Sequence, residues 1–134
     1  MSQPNSSETI SPDAVARAVR FGFVALILAL SYPNIQRALD IEIYQQIWSD
    51  MLSGTPLPWA TVFVIKAQPL LFAVSILLPL LTLATLFISR LATSLYLCSV
   101  LLVLTLTQLF FTWHAITAPV YEVVKRMQGG AAGA

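Results

Sequence analysis

Two long apolar stretches dominate the second half of the chain. The first covers residues 67–89, the second covers residues 91–119, and a single charged residue, Arg90, separates them. Neither stretch contains Asp or Glu. At about 1.5 Å of rise per residue, each is long enough to cross a hydrocarbon core of about 30 Å. The pattern therefore predicts a membrane hairpin, with helix 2 at residues 60–89 and helix 3 at residues 91–118.

A third apolar segment lies closer to the N-terminus. It follows a cap residue, a proline and an acid of the kinds that begin a helix: Ser11, Pro12 and Asp13. The apolar centre, residues 21–32, is too short to cross alone. Helix 1 at residues 13–32 crosses if Arg17 and Arg20 extend to the headgroups. A two-span chain with this segment in the interface is one alternative. A cleaved signal peptide is another, which the polar lead at residues 2–10 disfavours.

Between the N-terminal apolar segment and the predicted hairpin, apolar residues recur at every fourth position: Ile35, Leu39, Ile43, Ile47 and Met51. The repeat predicts a short amphipathic loop helix at residues 34–52. It is expected either to dock a partner or to serve only as a structural connector between spans. The residues assigned to partner docking are Ile43, Tyr44, Ile47 and Trp48.

Small and polar residues follow one face of each helix of the hairpin. In lipid, such residues usually mark the faces where helices meet, because close approach and interhelical hydrogen bonds replace the missing hydrophobic drive. The predicted packing residues are Ser75, Thr82 and Thr85 in helix 2 and Ser94, Thr105, Gln108 and Thr112 in helix 3. A polar translocation path is the alternative.

Composition narrows the functional classes. The chain of 134 residues is 57% hydrophobic and 10% charged, whereas a soluble domain has about 25% charged residues. A net charge of +1 offers no basic surface for nucleic acid, and a single cysteine, Cys98, excludes a disulfide framework within one chain. Phosphate-binding loops, paired catalytic carboxylates and nucleophile–base pairs are absent from the sequence, so we expect neither enzyme activity nor a cofactor. Lys66 and His114, near the membrane edge, are expected to be interface residues, with an ionisable functional site as the alternative.

The predicted organisation is all-α: an integral membrane bundle of three transmembrane helices and the loop helix. Residues 13–128 form the membrane domain, between a disordered polar tail at residues 1–12 and a flexible Gly/Ala tail at residues 129–134. Arg17 and Arg20 flank the first span closely, which favours a cytoplasmic N-terminus and, after three crossings, a C-terminus outside.

The order of features also resembles a known family. One predicted span is followed by Pro33 and a helical loop, and the next span is preceded by Leu57, Pro58 and Thr61. This order resembles the first membrane hairpin of the F-type inner-membrane platform proteins of type II secretion and type IV pilus systems. The segment at residues 118–121, Ala-Pro-Val-Tyr, resembles the short C-terminal sequence that follows that family's last span. The resemblance implies three spans in a bacterial inner membrane. The family's two cytoplasmic helical domains are missing, so contact with an assembly ATPase is not implied.

The expected function is therefore that of a small non-enzymatic membrane protein, a structural or accessory subunit of a cell-envelope assembly related to secretion or pili. Its expected partners are membrane lipid and either other membrane proteins or further copies of itself, without nucleic acid. The alternative is a subunit of a transporter or proton-handling complex that uses Lys66, His114 and Gln108.

Overall fold

The computed structural model describes residues 11–52 and 56–131, and all regular structure in those residues is helical. In chain order the helices are α1 (Pro12–Leu52), α2 (Trp59–Lys66), α3 (Gln68–Ala84) and α4 (Leu91–Ala131), with a 3-10 turn (Thr85–Phe87) after α3. Three segments, α1, α3 with its turn, and α4, are long and apolar enough to cross a membrane. The all-α fold is confirmed, and the chain is a membrane protein.

The predicted tails fall mostly on residues that lie outside those described. Residues 1–10 and 132–134 are outside, α1 begins at Pro12, and α4 continues to Ala131 into the predicted Gly/Ala segment.

Each long helix buries one face, and the buried positions alternate at spacings of three and four residues. On α1 they are Val24, Ile27, Ser31, Asn34, Ala38, Ile41 and Trp48. On α3 and its turn they are Ser75, Leu78, Thr82 and Thr85, and on α4 they are Ser94, Cys98, Leu101, Thr105, Thr112, Ala115 and Pro119, with half-buried Gln108 completing the series. Ile116, next to Ala115, is also buried but lies beside this series. We call these positions the seam. A seven-residue repeat of this kind is typical of left-handed helix bundles.

The contacts across the seam define the topology. Ile27 of α1 packs with Leu78 and Leu101. About 21 Å further along α1, Ile41 packs with a cluster from the other helices: Ala60, Val64 and Ala115. As residue numbers rise along α1 they fall along α3 and α2 and rise along α4. The chain is therefore a three-rod bundle in which α1 is parallel to α4 and antiparallel to α2 and α3.

The prediction that helix 1 ends before Pro33 is wrong. α1 has 41 residues and includes both predicted helix 1 and the predicted loop helix. Pro33 removes one backbone hydrogen bond, but its fixed φ is compatible with a helix, and neighbouring helices support prolines in membrane spans. Ser31 and Asn34 on either side of it are both buried in the seam, so packing holds the helix together through the proline.

The prediction of a single helix at residues 60–89 is also wrong, because the helix is interrupted at Ala67 and ends at Ala84. Pro69 cannot donate to the carbonyl four residues earlier, which explains an interruption at this point. At the 3-10 turn and just after it, Arg20 donates hydrogen bonds to the carbonyls of Leu86 and Ile88. Arg20 of α1 therefore closes the end of the rod formed by α2, α3 and the 3-10 turn, which we call the second rod.

The bundle is longer than a bilayer is thick. Arg20 lies at one end of the apolar region and Arg37 near the other, about 26 Å apart along α1 at 1.5 Å per residue, which matches a hydrocarbon core of about 30 Å. Residues 38–52 of α1, all of α2, and residues 114–131 of α4 extend past Arg37. We call this part the distal extension.

Candidate functional site

All seven predicted packing residues lie at the seam. Six are buried and Gln108 is half-buried. Ser94 Oγ donates to the carbonyl of Thr85 at 3.0 Å, and Thr85 Oγ1 lies 3.2 Å from Cys98 Sγ. Gln108 Nε2 donates to Ser75 Oγ at 2.7 Å and to the carbonyl of Leu71 at 3.1 Å. These bonds join α4 to the second rod, and the small side chains let the helices approach closely.

Two further amides belong to this polar interior and were missed from the sequence. Asn34, which is 3% exposed, donates from Nδ2 to the carbonyl of Thr105 at 3.3 Å, and Gln68 Nε2 donates to the carbonyl of Ala38 at 3.4 Å. The oxygens Asn34 Oδ1 and Gln108 Oε1 are buried without a partner among the described residues. The seven-residue repeat could have indicated both amides. Asn34 is seven residues from Ile27 and from Ile41, and Gln68 is seven residues before Ser75.

A buried hydrogen bond explains how α4 continues through Pro119. A proline leaves the carbonyl four residues earlier without its helical donor, and here that carbonyl belongs to Ala115. Thr61 Oγ1 of α2 donates to it at 2.8 Å, and Thr61 is fully buried. The prediction that helix 3 ends at residue 118 is wrong for this reason. Leu57 also packs against Ile116 and Trp48, so Leu57 and Thr61 meet α4 just before the Ala-Pro-Val-Tyr segment.

Replacing Thr61 with valine will cost about 2 kcal/mol of unfolding free energy, since the near-isosteric change leaves the Ala115 carbonyl buried and unpaired. Equilibrium unfolding in detergent micelles measures the difference. Thr107→Val is the matched control, because Thr107 is exposed and bonds only to the carbonyl of Val103 on its own helix. Equal stability of the two variants would show that the Thr61 bond does not support α4.

Lys66 and His114 lie away from the polar interior. Both side chains are exposed, and the His114 ring stacks on Phe110 with ring centroids 6.4 Å apart. Neither contacts Gln108 or the amides of the seam through a hydrogen bond. Within residues 11–52 and 56–131 there is also no group of three or more His, Cys, Asp or Glu side chains that could hold a metal ion.

The four residues assigned to docking are divided between two faces of α1. Ile43 and Ile47 are exposed, whereas Tyr44 is half-buried and Trp48 is buried, in contact with Ile116. The exposed pair continues along the helix as a row of apolar side chains that we call the distal apolar face: Leu39, Ile43, Ile47 and Met51. The exposed polar residues of the distal part of α1 are Glu42, Gln45, Gln46, Ser49 and Asp50.

Comparison with known proteins finds no family model, no curated protein and no solved structure that matches this chain. The geometry of the bundle is therefore the basis for its proposed function.

Proposed function

We propose that this chain is a small non-enzymatic subunit of a cell-envelope membrane assembly, related to secretion or pili, and that its distal extension docks onto another membrane protein of that assembly. The observation that carries the proposal is the distal apolar face. Its side chains point away from the seam, on the part of α1 that extends beyond Arg37.

The position of this face matters more than its apolar character. Exposed leucines between Arg20 and Arg37 are covered by lipid tails and need no other partner. Leu39, Ile43 and Ile47 lie past that region, on a helix that also exposes Glu42 and Gln45. A contiguous apolar surface rimmed by polar residues is typical of a protein interaction site.

A structural role is favoured over the alternative of a transporter or proton-handling subunit. Between the levels of Arg20 and Arg37, the described seam positions carry hydroxyls, amides and Cys98 but no Asp, Glu, Lys, Arg or His. Carbonyls of the same or neighbouring helices accept hydrogen bonds from four of these side chains: Asn34, Thr82, Ser94 and Thr105. Lys66 and His114, which the alternative requires, are on the outer surface. An interior of this kind holds helices together and offers no relay for protons.

We place the protein in a bacterial inner membrane, with the N-terminus in the cytoplasm and the C-terminus outside. Arg17 and Arg20 near the start of the first span support this orientation, as does the resemblance to F-type platform proteins. Thr61, in the first of the two short segments that carry this resemblance, donates to the carbonyl of Ala115, three residues before the second segment, which is compatible with the resemblance.

Site-specific photocrosslinking in cells tests the docking role. A photoreactive residue at Ile47 is expected to trap a secretion or pilus assembly component, whereas the same residue at Gln46, exposed on the polar side of α1, traps none. Ile47→Glu should reduce co-purification of the trapped component about tenfold, equivalent to about 1.4 kcal/mol, and Gln46→Glu should leave it unchanged. Crosslinks to a second copy of the chain would replace this proposal with self-association. Equal products from both sites would remove the docking face.

A further inference from the structure

A surface groove of about 380 Å³ lies beside α4 at the level where the apolar region ends. Its wall is formed by Arg37 of α1 and by four residues of α4: Leu106, Leu109, Phe110 and Trp113. Apart from the guanidinium group of Arg37 and the indole nitrogen of Trp113, the side chains of the groove are hydrocarbon. The groove thus has one cationic wall and one apolar floor.

The cation is held in place without being neutralised. The guanidinium carbon of Arg37 lies 4.3 Å from the centre of the Trp113 ring, a cation–π contact that fixes its position. Within residues 11–52 and 56–131, no carboxylate forms an ion pair with it. A planar guanidinium with unused donors matches the geometry of a phosphate group, which it binds through paired hydrogen bonds.

The depth of the groove matches that of a lipid headgroup. Arg37 and Arg20 are separated by about 26 Å along α1, so Arg37 lies near the edge of the hydrocarbon core. Trp113 beside it is of the residue type enriched at membrane interfaces. Leu106 is about 10 Å deeper along α4 than Trp113, and Phe110, which is 74% exposed, lies between them. The groove therefore runs from headgroup depth into the region of the acyl chains.

We propose that this groove binds one glycerophospholipid, with its phosphate on the guanidinium of Arg37 and one acyl chain along Leu106 and Phe110. The site depends on the membrane-spanning bundle and is independent of the docking partner proposed above.

Native mass spectrometry of the purified protein, titrated with phosphatidylglycerol in detergent, tests the site. The wild-type chain is expected to retain one lipid, and Arg37→Gln to weaken retention at least tenfold. Arg17→Gln, which removes the same charge from an exposed residue at the opposite end, should retain lipid like the wild type. Equal retention by the two glutamine variants would overturn the proposal.

Two further arms separate headgroup from chain. Diacylglycerol with the same acyl chains lacks the phosphate and should bind at least tenfold more weakly, and glycerol phosphate without chains should not be retained. If diacylglycerol binds as well as phosphatidylglycerol, Arg37 does not recognise phosphate and the proposal fails. If Arg37→Gln disrupts folding, Phe110→Ala decides instead. It should weaken retention several-fold, whereas Phe87→Ala, at a residue that is 90% exposed near the opposite end, should not.

Discussion

Replacing Trp48 with alanine will destabilise the bundle by about 3–5 kcal/mol, the range observed when large buried aromatic residues are truncated. Trp48 is 3% exposed and packs against Ile116, and its ring stacks on that of Tyr44 at a centroid distance of 5.8 Å. These contacts lie in the distal extension, past Arg37, and therefore outside a hydrocarbon core bounded by Arg20 and Arg37. Burial from water therefore contributes fully to stability there, as it does in a soluble core.

The measurement is the free energy of unfolding in detergent micelles, with Trp59→Ala as the matched control. Trp59 is 77% exposed, so its truncation should change stability by less than about 0.5 kcal/mol. The pair also tests the assignment of Trp48 to partner docking. If Trp48→Ala left stability unchanged but abolished the crosslink from Ile47, the side chain would be a docking residue and its burial in the monomer would be incorrect.

The division of the docking residues between two faces follows from helix geometry that the sequence alone leaves ambiguous. Consecutive residues are about 100° apart around an α-helix, whereas residues four apart are nearly aligned. Ile43 and Ile47 therefore form one row, and Tyr44 and Trp48 form another. Both rows are apolar, so the pattern predicts an apolar side without indicating which row meets the bundle. The partners of Trp48 on α4 decide this, and they are distant in sequence.

The membrane hairpin and the packing residues were largely accessible from the sequence. Apolar length predicts spans well because backbone groups in lipid must be bonded internally, which leaves helices as the simple solution. The start of α4 at Leu91 agrees with the prediction. Hydroxyl-bearing residues such as Thr82 and Thr105 stand out against an otherwise apolar background, and both are fully buried at the seam.

The helix ends were less accessible, because local rules about proline compete with packing. Pro33 and Pro119 are correct signals for helix termination in a soluble chain. Here the seven-residue repeat continues through both, from Ile27 to Asn34 and Ile41 on α1. Only the three-dimensional contact between Thr61 and the Ala115 carbonyl shows what compensates for Pro119. The seven-residue repeat, which continues across both prolines, indicates the two long helices.

The helix-packing interpretation has its strongest test at Ser94, where replacement by leucine will cost about 3 kcal/mol of unfolding free energy. Ser94 is fully buried where the first turns of α4 meet the 3-10 turn, and its hydroxyl bonds to the carbonyl of Thr85. Leucine adds volume to a close-packed contact, which costs about 1–3 kcal/mol. It also removes an interhelical hydrogen bond, worth about 0.6 kcal/mol in membrane proteins.

The same substitution on the other side of α4 separates packing from hydrophobicity. Ser99 is exposed on the transmembrane part of the helix, so Ser99→Leu should leave the unfolding free energy in micelles within about 0.5 kcal/mol of the wild type. Lipid tails are as apolar as leucine, so moving a leucine side chain from lipid into the seam gains no hydrophobic free energy. Close approach of the backbones is therefore what a small residue provides at Ser94. Ser94→Ala isolates the hydrogen bond and should cost less than about 1 kcal/mol, because the Thr85 carbonyl still accepts from the backbone N–H of Ile88. Equal effects of leucine at positions 94 and 99 would mean that α4 does not meet the 3-10 turn at Ser94, and the seam as described would be wrong at its first position.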